Sequence, residues 1–417
     1  MLQSVHLRDV GPAAEMAWEL GSRLNLITGD NGLGKSFLLD VAWWALTRTW
    51  AREPVVPAPG PAGGSISYRC DGQTTAVTVE SYFDRNAWQW PVKQGKPPKT
   101  GLVLYAQVDG GLSVWDEARN SSRKGAPDRP AAFLFSAADV WSVSAHCEGL
   151  IRDWASWQRE EGEAFNVLRA ALAALSPSPV DPVRPGDIRR VSPNDKLSYP
   201  TLRMPYGQDV PVHHASAGMR RIIGLAYLLV WAWQEHIAAC ALRGAAPARK
   251  MTLLVDEAEA HLHPQWQRRI VPALLHVMDA VAGAGACATQ AVVVTHSPLV
   301  TASVEPHFDP ATDAWFDLDL EPATRAVQLT KRPFVRRGTA DRWLTSEAFD
   351  LRSEGSSVEA EAAIAAAEAL LDRERETGAW PEEDAERTTE ALGAVLPEQD
   401  PFWVRWLYRV QHRSGLR

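Results

Sequence analysis

Four short apolar runs recur along the chain, with helical patterns between the later ones. They occupy residues 24–28, 101–106, 252–255 and 291–295. A strand that is buried on both faces has such an unbroken run, whereas a half-exposed strand alternates between apolar and polar residues. The pattern therefore predicts an α/β fold whose central sheet contains buried parallel strands.

Outside these runs, the pattern predicts a hairpin and two loops. Residues 65–70 and 75–80 alternate on either side of a central Asp-Gly pair, which is typical of a β-hairpin. The stretches 51–64 and 176–212 are rich in residues that favour turns, and we expect them to form loops.

Helical patterns fill much of the remaining chain. They cover residues 134–175, the strongly apolar stretch 217–239 and the Ala- and Glu-rich stretch 358–376, which should lie on the surface. Aromatic residues at helical spacing follow at 401–408. We expect this last helix to dock on the domain, with a partner-binding surface as the alternative. No heptad pattern persists, so no long coiled coil is expected.

Composition narrows the class of protein. A length of 417 residues allows one to three domains, and 46% hydrophobic with 23% charged residues is ordinary for a soluble globular protein. The N-terminus has no secretion signal, and no run approaches the ~20 apolar residues that cross a bilayer, so we expect a cytoplasmic protein without membrane contact. The four cysteines form no C-x-x-C pair, which argues against a zinc site and a disulfide framework.

The net charge is acidic, at −8, which argues against a surface that coats nucleic acid throughout. Local basic patches remain compatible with this charge. The arginines considered for such patches are Arg220, Arg221, Arg336, Arg337 and Arg342. A solvated surface is the plainer interpretation of these side chains, and contact with DNA or RNA is the alternative.

Residues 29–36 read G-x-x-x-x-G-K-S, the phosphate-binding pattern known as Walker A, between a predicted strand and a predicted helix. Glycines let successive N–H groups turn toward an anion, and the start of a helix adds partial positive charge. Lys35 is suited to the β- and γ-phosphates of a nucleotide, and the Ser36 hydroxyl to Mg²⁺. The predicted nucleotide-binding residues are Gly29, Asp30, Asn31, Gly32, Leu33, Gly34, Lys35, Ser36 and Phe37.

Two carboxylates end the apolar run 252–255, as in a Walker B motif. Asp256 is placed to hold Mg²⁺ through water, and Glu257 to orient and polarise an attacking water. His296 ends the run 291–295 in the same way. Because ligands sit at the carboxyl ends of parallel strands, we expect His296 to lie near the γ-phosphate.

Small residues precede the long apolar helix and expose its N-terminal amides, which form a ready anion site. Ser216 and Gly218 are the residues of interest there. An ordinary serine cap at the start of a helix is the alternative interpretation.

Together these motifs resemble those of the ABC class of ATPases, and in particular the soluble branch near the SMC, RecF and OLD proteins. The resemblance implies a P-loop NTPase fold, with an ABC-type mixed sheet, flanking helices and a helical insertion. It implies ATP and Mg²⁺ as ligands and Gln107 as the Q-loop glutamine at the metal. It also implies a homodimer closed by ATP, in which Ser216 and Gly218 of one copy face the nucleotide of the other.

Two departures from the transporter pattern refine the resemblance. Residues 215–219 read Ala-Ser-Ala-Gly-Met, where transporter subunits carry L-S-G-G-Q. Residues 261–264, the D-loop, read His-Leu-His-Pro, a form similar to that of OLD-like and RecF-like proteins. Both departures favour a soluble machine over a transporter subunit.

The resemblance also implies a division of the chain. The expected parts are an N-terminal half of the ATPase domain at 1–107, an inserted helical and loop subdomain at 108–212, a C-terminal half at 213–345 and a helical tail at 346–417.

Three functions remain open at this stage. The first is an ATPase that regulates a separate effector, a nuclease, because the layout resembles Septu-like and retron-linked ATPases of bacterial anti-phage systems. The second is a RecF- or SMC-like DNA-binding ATPase in DNA repair or maintenance. The third is a scaffold held by ATP without turnover, and the presence of Glu257 and His296 argues against it.

Two other metal sites deserve a test against the structure. His261 and His263 follow the Walker B acids and suggest a second metal site, although D-loop geometry explains them more simply. Asp317 and Asp319 form a D-x-D pattern seen in nucleases. They alternate with apolar residues, which a half-buried strand explains more simply, and too little chain remains in a suitable pattern for a whole nuclease domain.

Overall fold

The computed structural model divides the chain into two compact units, Met1–Ala340 and Asp341–Arg417. The structure describes residues 1–59, 63–71, 76–91, 100–120, 131–180, 182–283, 285, 287–321, 323–349, 351 and 357–414.

The larger unit is built on an eight-stranded mixed sheet. Its strands, in spatial order, are β15 (Val327–Arg332), β14 (Ala314–Leu320), β3 (Leu24–Gly29), β13 (Ala288–Val294), β12 (Lys250–Val255), β6 (Leu102–Ala106), β7 (Leu112–Asp116) and β8 (Phe133–Phe135). The five strands from β14 to β6 are parallel, and the remaining three add antiparallel edges. The predicted α/β fold with a mixed sheet and buried parallel strands is therefore confirmed.

A second, antiparallel sheet covers the first helix. It consists of β2 (Glu15–Glu19), β1 (Leu2–Arg8), β4 (Ser65–Cys70) and β5 (Val77–Tyr82). The last two strands pair as the predicted hairpin, whose turn at 72–75 lies outside the described residues. Helix α1 (Lys35–Thr47) contacts β1 and four strands of the main sheet, so nearly all of its side chains are buried, including Trp43 and Trp44. A helix without a polar face has to bury apolar side chains on every side, and α1 does so between the two sheets.

Further helices complete the larger unit. They are α2 (Glu117–Asn120), α3 (Leu150–Glu160), α4 (Glu163–Ala174), α5 (Ala217–Arg243), α6 (Pro264–Gln267), α7 (Ile270–Val281) and α8 (Pro298–Val304). A small sheet of β11 (Asp209–Pro211), β10 (Thr201–Arg203) and β9 (Arg184–Pro185) lies in the segment before α5. Helix α5 packs on β6 and β7, and α7 packs on β13.

Helix α5 is the one helix of the described residues that is long and apolar enough to cross a membrane. The sequence-based expectation that no run approaches this length was therefore too strict. About two thirds (67%) of its most apolar window is buried inside the protein, as in the core helix of a globular domain.

The predicted insertion at 108–212 is not helical or loop-like throughout. Its first part contributes β7 and β8 to the main sheet, and α3, α4 and the small sheet follow. Strand β7 carries buried polar residues, Ser113 and Asp116, which obscure it in the sequence. Their partners, Gln107 and His236, lie on the neighbouring strand end and on α5. Only the folded chain brings these groups together.

The smaller unit contains α10 (Val358–Thr377), α11 (Glu382–Val395) and α12 (Pro401–Ser414), preceded by α9 (Ala340–Leu344) at the junction. Its core is centred on Trp406, which is fully buried and donates from Nε1 to the Thr389 hydroxyl (2.9 Å). The aromatic helix at 401–408 thus packs within this unit, while Val404 and Tyr408 remain exposed.

Candidate nucleotide site

The loop at 29–36 joins the end of β3 to the start of α1. Its three glycines all have positive φ, at 131° for Gly29, 79° for Gly32 and 102° for Gly34. A Cβ atom on Gly29 would lie 2.0 Å from the carbonyl oxygen of Leu318, so a side chain is excluded there by space as well as by conformation. The loop therefore takes a course that only this glycine spacing allows, and it leads directly into a helix N-terminus.

Lys35 begins α1 and is almost completely buried under this loop. Its Nζ donates to the carbonyl oxygens of Gly29 (2.8 Å) and Asp30. Burial lowers the pKa of Lys35 to about 8, although nearby carboxylates such as Asp30 and Glu257 favour the charged form. The ammonium is thus held at the centre of the loop, where an anion would meet it.

Asp256 directly follows β12 and is fully buried. Neither of its carboxylate oxygens meets hydrogen-bond geometry with any of the described residues. The guanidinium of Arg52 lies 4.0 Å from Oδ2. Burial raises the pKa of Asp256, while the neighbouring Ser36 hydroxyl and Arg52 favour its ionised form. A buried carboxylate with free lone pairs beside a serine hydroxyl fits a magnesium site.

Arg52 lies in the stretch that the sequence pattern assigns to a loop, and its role was not predicted. Its guanidinium bonds both carboxylate oxygens of Asp40 (2.9 and 2.7 Å) and donates to the Ser36 carbonyl oxygen (3.3 Å). It also donates to the Tyr105 hydroxyl (3.2 Å). Arg52 thereby ties α1 to β6 next to the buried Asp256.

Glu257 has a left-handed backbone, with φ of 46°, which is rare for a residue with a side chain. Bonds on both sides hold this turn: Ala258 N donates to Val294 O (3.1 Å), and Ala260 N donates to Glu257 O (2.9 Å). Such a conformation costs on the order of 1–3 kcal/mol and persists where the surroundings enforce it. The turn brings the Glu257 carboxylate into the cleft beside Lys35.

His296 follows β13, and its main-chain N–H donates to the carboxylate of Glu259. The Thr295 hydroxyl donates to the same carboxylate (2.7 Å). Burial and the charge of Lys35 both lower the pKa of His296, which favours a neutral ring at neutral pH. This contribution of Glu259 was not predicted, because the sequence alone does not show that Glu259 meets residues 295 and 296.

These residues share one cleft of about 240 Å³. It is lined by Asn31, Gly32, Gly34, Lys35, Ser36, Asp256, Glu257, Val294 and His296. The parallel order β3–β13–β12 explains the convergence, because it places the ends of all three strands at one edge of the sheet.

Other predicted residues lie outside the cleft lining. Asp30 is exposed, and Leu33 and Phe37 pack against the core beside α1. Gln107 is buried, and its amide donates to the Ser113 hydroxyl (3.0 Å). Its role as a magnesium ligand therefore stays a prediction.

The signature-like segment also lies outside this cleft. Ser216 caps α5, where its exposed hydroxyl accepts from Met219 N (3.3 Å). A Cβ atom on Gly218 would lie 2.6 Å from the His261 carbonyl oxygen, so the segment packs tightly on the D-loop. Within one chain, Ser216 and Gly218 are thus not among the residues that line the cleft.

Arg221 is not part of a solvated basic patch, contrary to the plainer interpretation of the sequence. Its Nη1 donates to the carbonyl oxygens of Gln107 (2.8 Å) and Val108 (3.2 Å). Its Nη2 donates to the carbonyl oxygens of Asp256 (2.7 Å) and Glu257 (3.2 Å). One side chain of α5 therefore joins the ends of β6 and β12.

The candidate nuclease residues have structural partners. Asp317 is buried in β14, where it accepts from the Thr28 hydroxyl (3.2 Å) and pairs with Arg332 (3.4 Å). The first five residues of β14 are all buried, so this strand is not half-exposed as expected. Among the described residues, no group of three His, Cys, Asp or Glu side chains is arranged to hold a metal.

Comparison with known proteins gives one family match. A family model described as "AAA domain, putative AbiEii toxin, Type IV TA system" matches residues 147–302. This segment holds Ser216, Asp256, Glu257 and His296, while Lys35 lies outside it. No curated protein matches the chain.

Solved structures also show similarity. The SMC head domain from Thermotoga maritima is 13% identical, with a TM-score of 0.40 over 80% of this chain and 99% of that one. An SMC head bound to the C-terminal winged-helix domain of ScpA is 13% identical, with a TM-score of 0.43 over 79% and 97%. An SMC head with an extended coiled coil, bound to the C-terminal domain of ScpA derived from Pyrococcus furiosus, is 10% identical, with a TM-score of 0.42 over 79% and 96%. Residues 147–302 are thus similar to an AAA domain, and together with the glycine loop at 29–36 they form a cleft with the geometry of a P-loop nucleotide site.

Proposed function

We propose that this protein binds ATP in the cleft described above and hydrolyses it to ADP and phosphate. We further propose that two copies close around the nucleotide, and that this cycle regulates a partner effector. The observation that carries the proposal is the convergence of Lys35, Asp256, Glu257 and His296 in one cleft. Phosphoryl transfer needs an anion cradle, a metal site and a group that orients water, and these side chains supply all three.

Each residue has a distinct task in this proposal. The glycine loop and Lys35 bind the phosphates, and Ser36 with Asp256 would hold Mg²⁺. When bound, Mg²⁺ neutralises charge on the transferring phosphoryl group. Glu257 accepts a hydrogen bond from the attacking water and polarises it. His296 is neutral at neutral pH, so its ring can donate to an anion or accept from water without carrying charge of its own.

The proposed dimer follows from the position of the signature-like segment. Ser216 is exposed at the start of a 27-residue helix and lies outside the cleft of its own chain. A helix N-terminus with exposed amides favours an anion. A second copy can bring this terminus to the nucleotide, which supports a shared site.

The Glu257→Gln variant tests the catalytic and assembly parts together. We expect its affinity for ATP to stay within about threefold and its turnover to fall on the order of 10²–10⁴-fold, because a general base is lost while the phosphate cradle remains. Light scattering with saturating Mg-ATP should then show a dimer. Lys35→Ala is the matched control, since it removes phosphate binding and should stay monomeric. Retained turnover in Glu257→Gln would exclude the assigned role of this carboxylate.

The Glu257→Gln variant, which is expected to stay bound to ATP, can also be used to capture the effector. The description of the matching family names a putative toxin of a type IV toxin–antitoxin system, and the proposed partner effector is tested directly with this variant. We expect the Glu257→Gln protein, captured from its host with Mg-ATP, to retain a protein with nuclease activity, and a control capture from nuclease-treated lysate to retain the same protein by mass spectrometry. Recovery of duplex DNA in its place would favour a DNA-maintenance ATPase.

A further inference from the structure

Glu259 lies between the Walker B acids and the D-loop, and its carboxylate accepts hydrogen bonds from the turn that contains His296. Its carboxylate accepts from the Thr295 hydroxyl (2.7 Å) and from the main-chain N–H of His296. The Thr295 hydroxyl oxygen in turn accepts from Ser297 N (3.0 Å). One carboxylate therefore organises three consecutive residues after β13.

The Glu259 carboxylate is largely buried, so the groups that donate to it depend on it as their acceptor. Burial raises the pKa of Glu259, while the bonds from Thr295 and His296 favour the ionised form. Fully buried Thr295 has no water to replace its partner. Removing the acceptor would leave two donors of the turn unsatisfied, which destabilises that local geometry.

A second bridge runs parallel to the first. Gln267 in α6 donates to the Leu262 carbonyl oxygen of the D-loop (2.9 Å) and accepts from the Ser297 hydroxyl (2.7 Å). The D-loop and the turn at 295–297 are thus linked on both sides of His296. The Walker B turn is also linked to the end of β13, because Ala258 N donates to Val294 O (3.1 Å).

We propose that Glu259 is a positioning residue, which acts on hydrolysis by fixing the main chain that carries His296. This inference rests on the proposed ATPase function. Glu259 does not line the cleft, and its hydrogen bonds reach the cleft through the turn at 295–297. Supporting residues of this kind change activity on the order of 10–100-fold when they are removed.

The test combines single and double variants. Glu259→Ala should lower kcat on the order of 10–100-fold with little change in KM, because phosphate binding at Lys35 remains. Glu259→Gln should recover much of this loss, since its amide oxygen still accepts from His296 N while the Thr295 hydroxyl rotates. In a His296→Ala background, Glu259→Ala should cause no further loss, because its target is already absent.

A matched control separates positioning from general stability. Glu305 is also a buried carboxylate that accepts from main-chain N–H groups, those of Arg337 (2.7 Å) and Gly338 (3.0 Å). Glu305→Gln should change the thermal midpoint but have the same effect on kcat with or without His296. Losses from Glu259→Ala and His296→Ala that multiply would overturn the proposal.

A measurement that does not depend on ATP turnover distinguishes the proposed role of Glu259 from the proposed ATPase function. We expect the imidazole ¹⁵N signals of His296 to shift in Glu259→Gln and Glu259→Ala and to stay in place in Glu305→Gln. Unchanged His296 signals in both Glu259 variants refute the positioning role even if they fold normally. A chain without ATP hydrolysis whose His296 signals do shift refutes the proposed function and leaves only the structural link from Glu259 to His296 standing.

Discussion

Lys35 is the residue whose chemistry depends most directly on its burial. The loop wraps the ammonium so closely that its pKa falls to about 8. The group therefore loses its proton within a pH range that leaves most of the protein unaffected. The proposed binding of phosphates depends on the positive charge of this ammonium.

We expect ATP affinity to weaken about tenfold between pH 7 and pH 9. Below a pKa of about 8 the Lys35 ammonium is charged and binds phosphate, and above it the neutral amine predominates. Titration calorimetry across this range measures the change. Lys35→Arg provides the control, because a guanidinium stays charged throughout, so its weaker binding should not vary with pH. A flat profile in the unaltered protein would contradict the lowered pKa.

At the scale of elements, Arg221 ties helix α5 to the ends of strands β6 and β12. Its guanidinium donates to four carbonyl oxygens from two loops, and burial lowers its pKa without removing its charge at neutral pH. The planar guanidinium of an arginine can donate to acceptors in two directions, whereas the ammonium of a lysine concentrates its donors at one atom. The orientation of the Walker B turn thus depends on a side chain from a distant helix.

Arg221→Lys should lower the free energy of unfolding by about 2 kcal/mol, since carbonyl oxygens lose a charged donor in a buried place. Chemical denaturation without nucleotide measures this change. Arg220→Lys is the matched control, because Arg220 is exposed and its substitution should stay within about 0.5 kcal/mol. Equal stability of the two variants would show that the four bonds of Arg221 contribute nothing.

The same elements show what a sequence can predict. The loop at 29–36 and the strands β3, β12 and β13 follow from local spacing and unbroken apolar runs, so they were predictable. The contributions of Arg221 and Glu259 were not, because each depends on contacts between segments far apart in the chain. Strand β7 was missed for a related reason, since its buried polar residues find their partners only in the fold.

At the scale of the whole molecule, the segment that we propose to serve a second copy lies outside the cleft that contains the Walker residues. The cleft contains the Walker residues and His296, while Ser216 lies at the exposed start of α5. Gly218 packs against the D-loop at His261, so the signature-like segment and the D-loop form one continuous surface. A symmetric pair that used this surface twice would create two identical shared sites.

Shared sites predict complementation between two inactive variants. Lys35→Ala abolishes the cradle of its own chain, and Ser216→Arg blocks the surface offered to the partner. In a mixed dimer one site carries both defects, and the other combines an intact Lys35 with an intact Ser216. Random mixing makes about half of the dimers mixed, so turnover should return to about a quarter of the unaltered level. Each variant alone, assayed at the same total concentration, is the control. If the mixture stays as inactive as its components, each site is built from a single chain, and the proposed assembly around ATP is wrong.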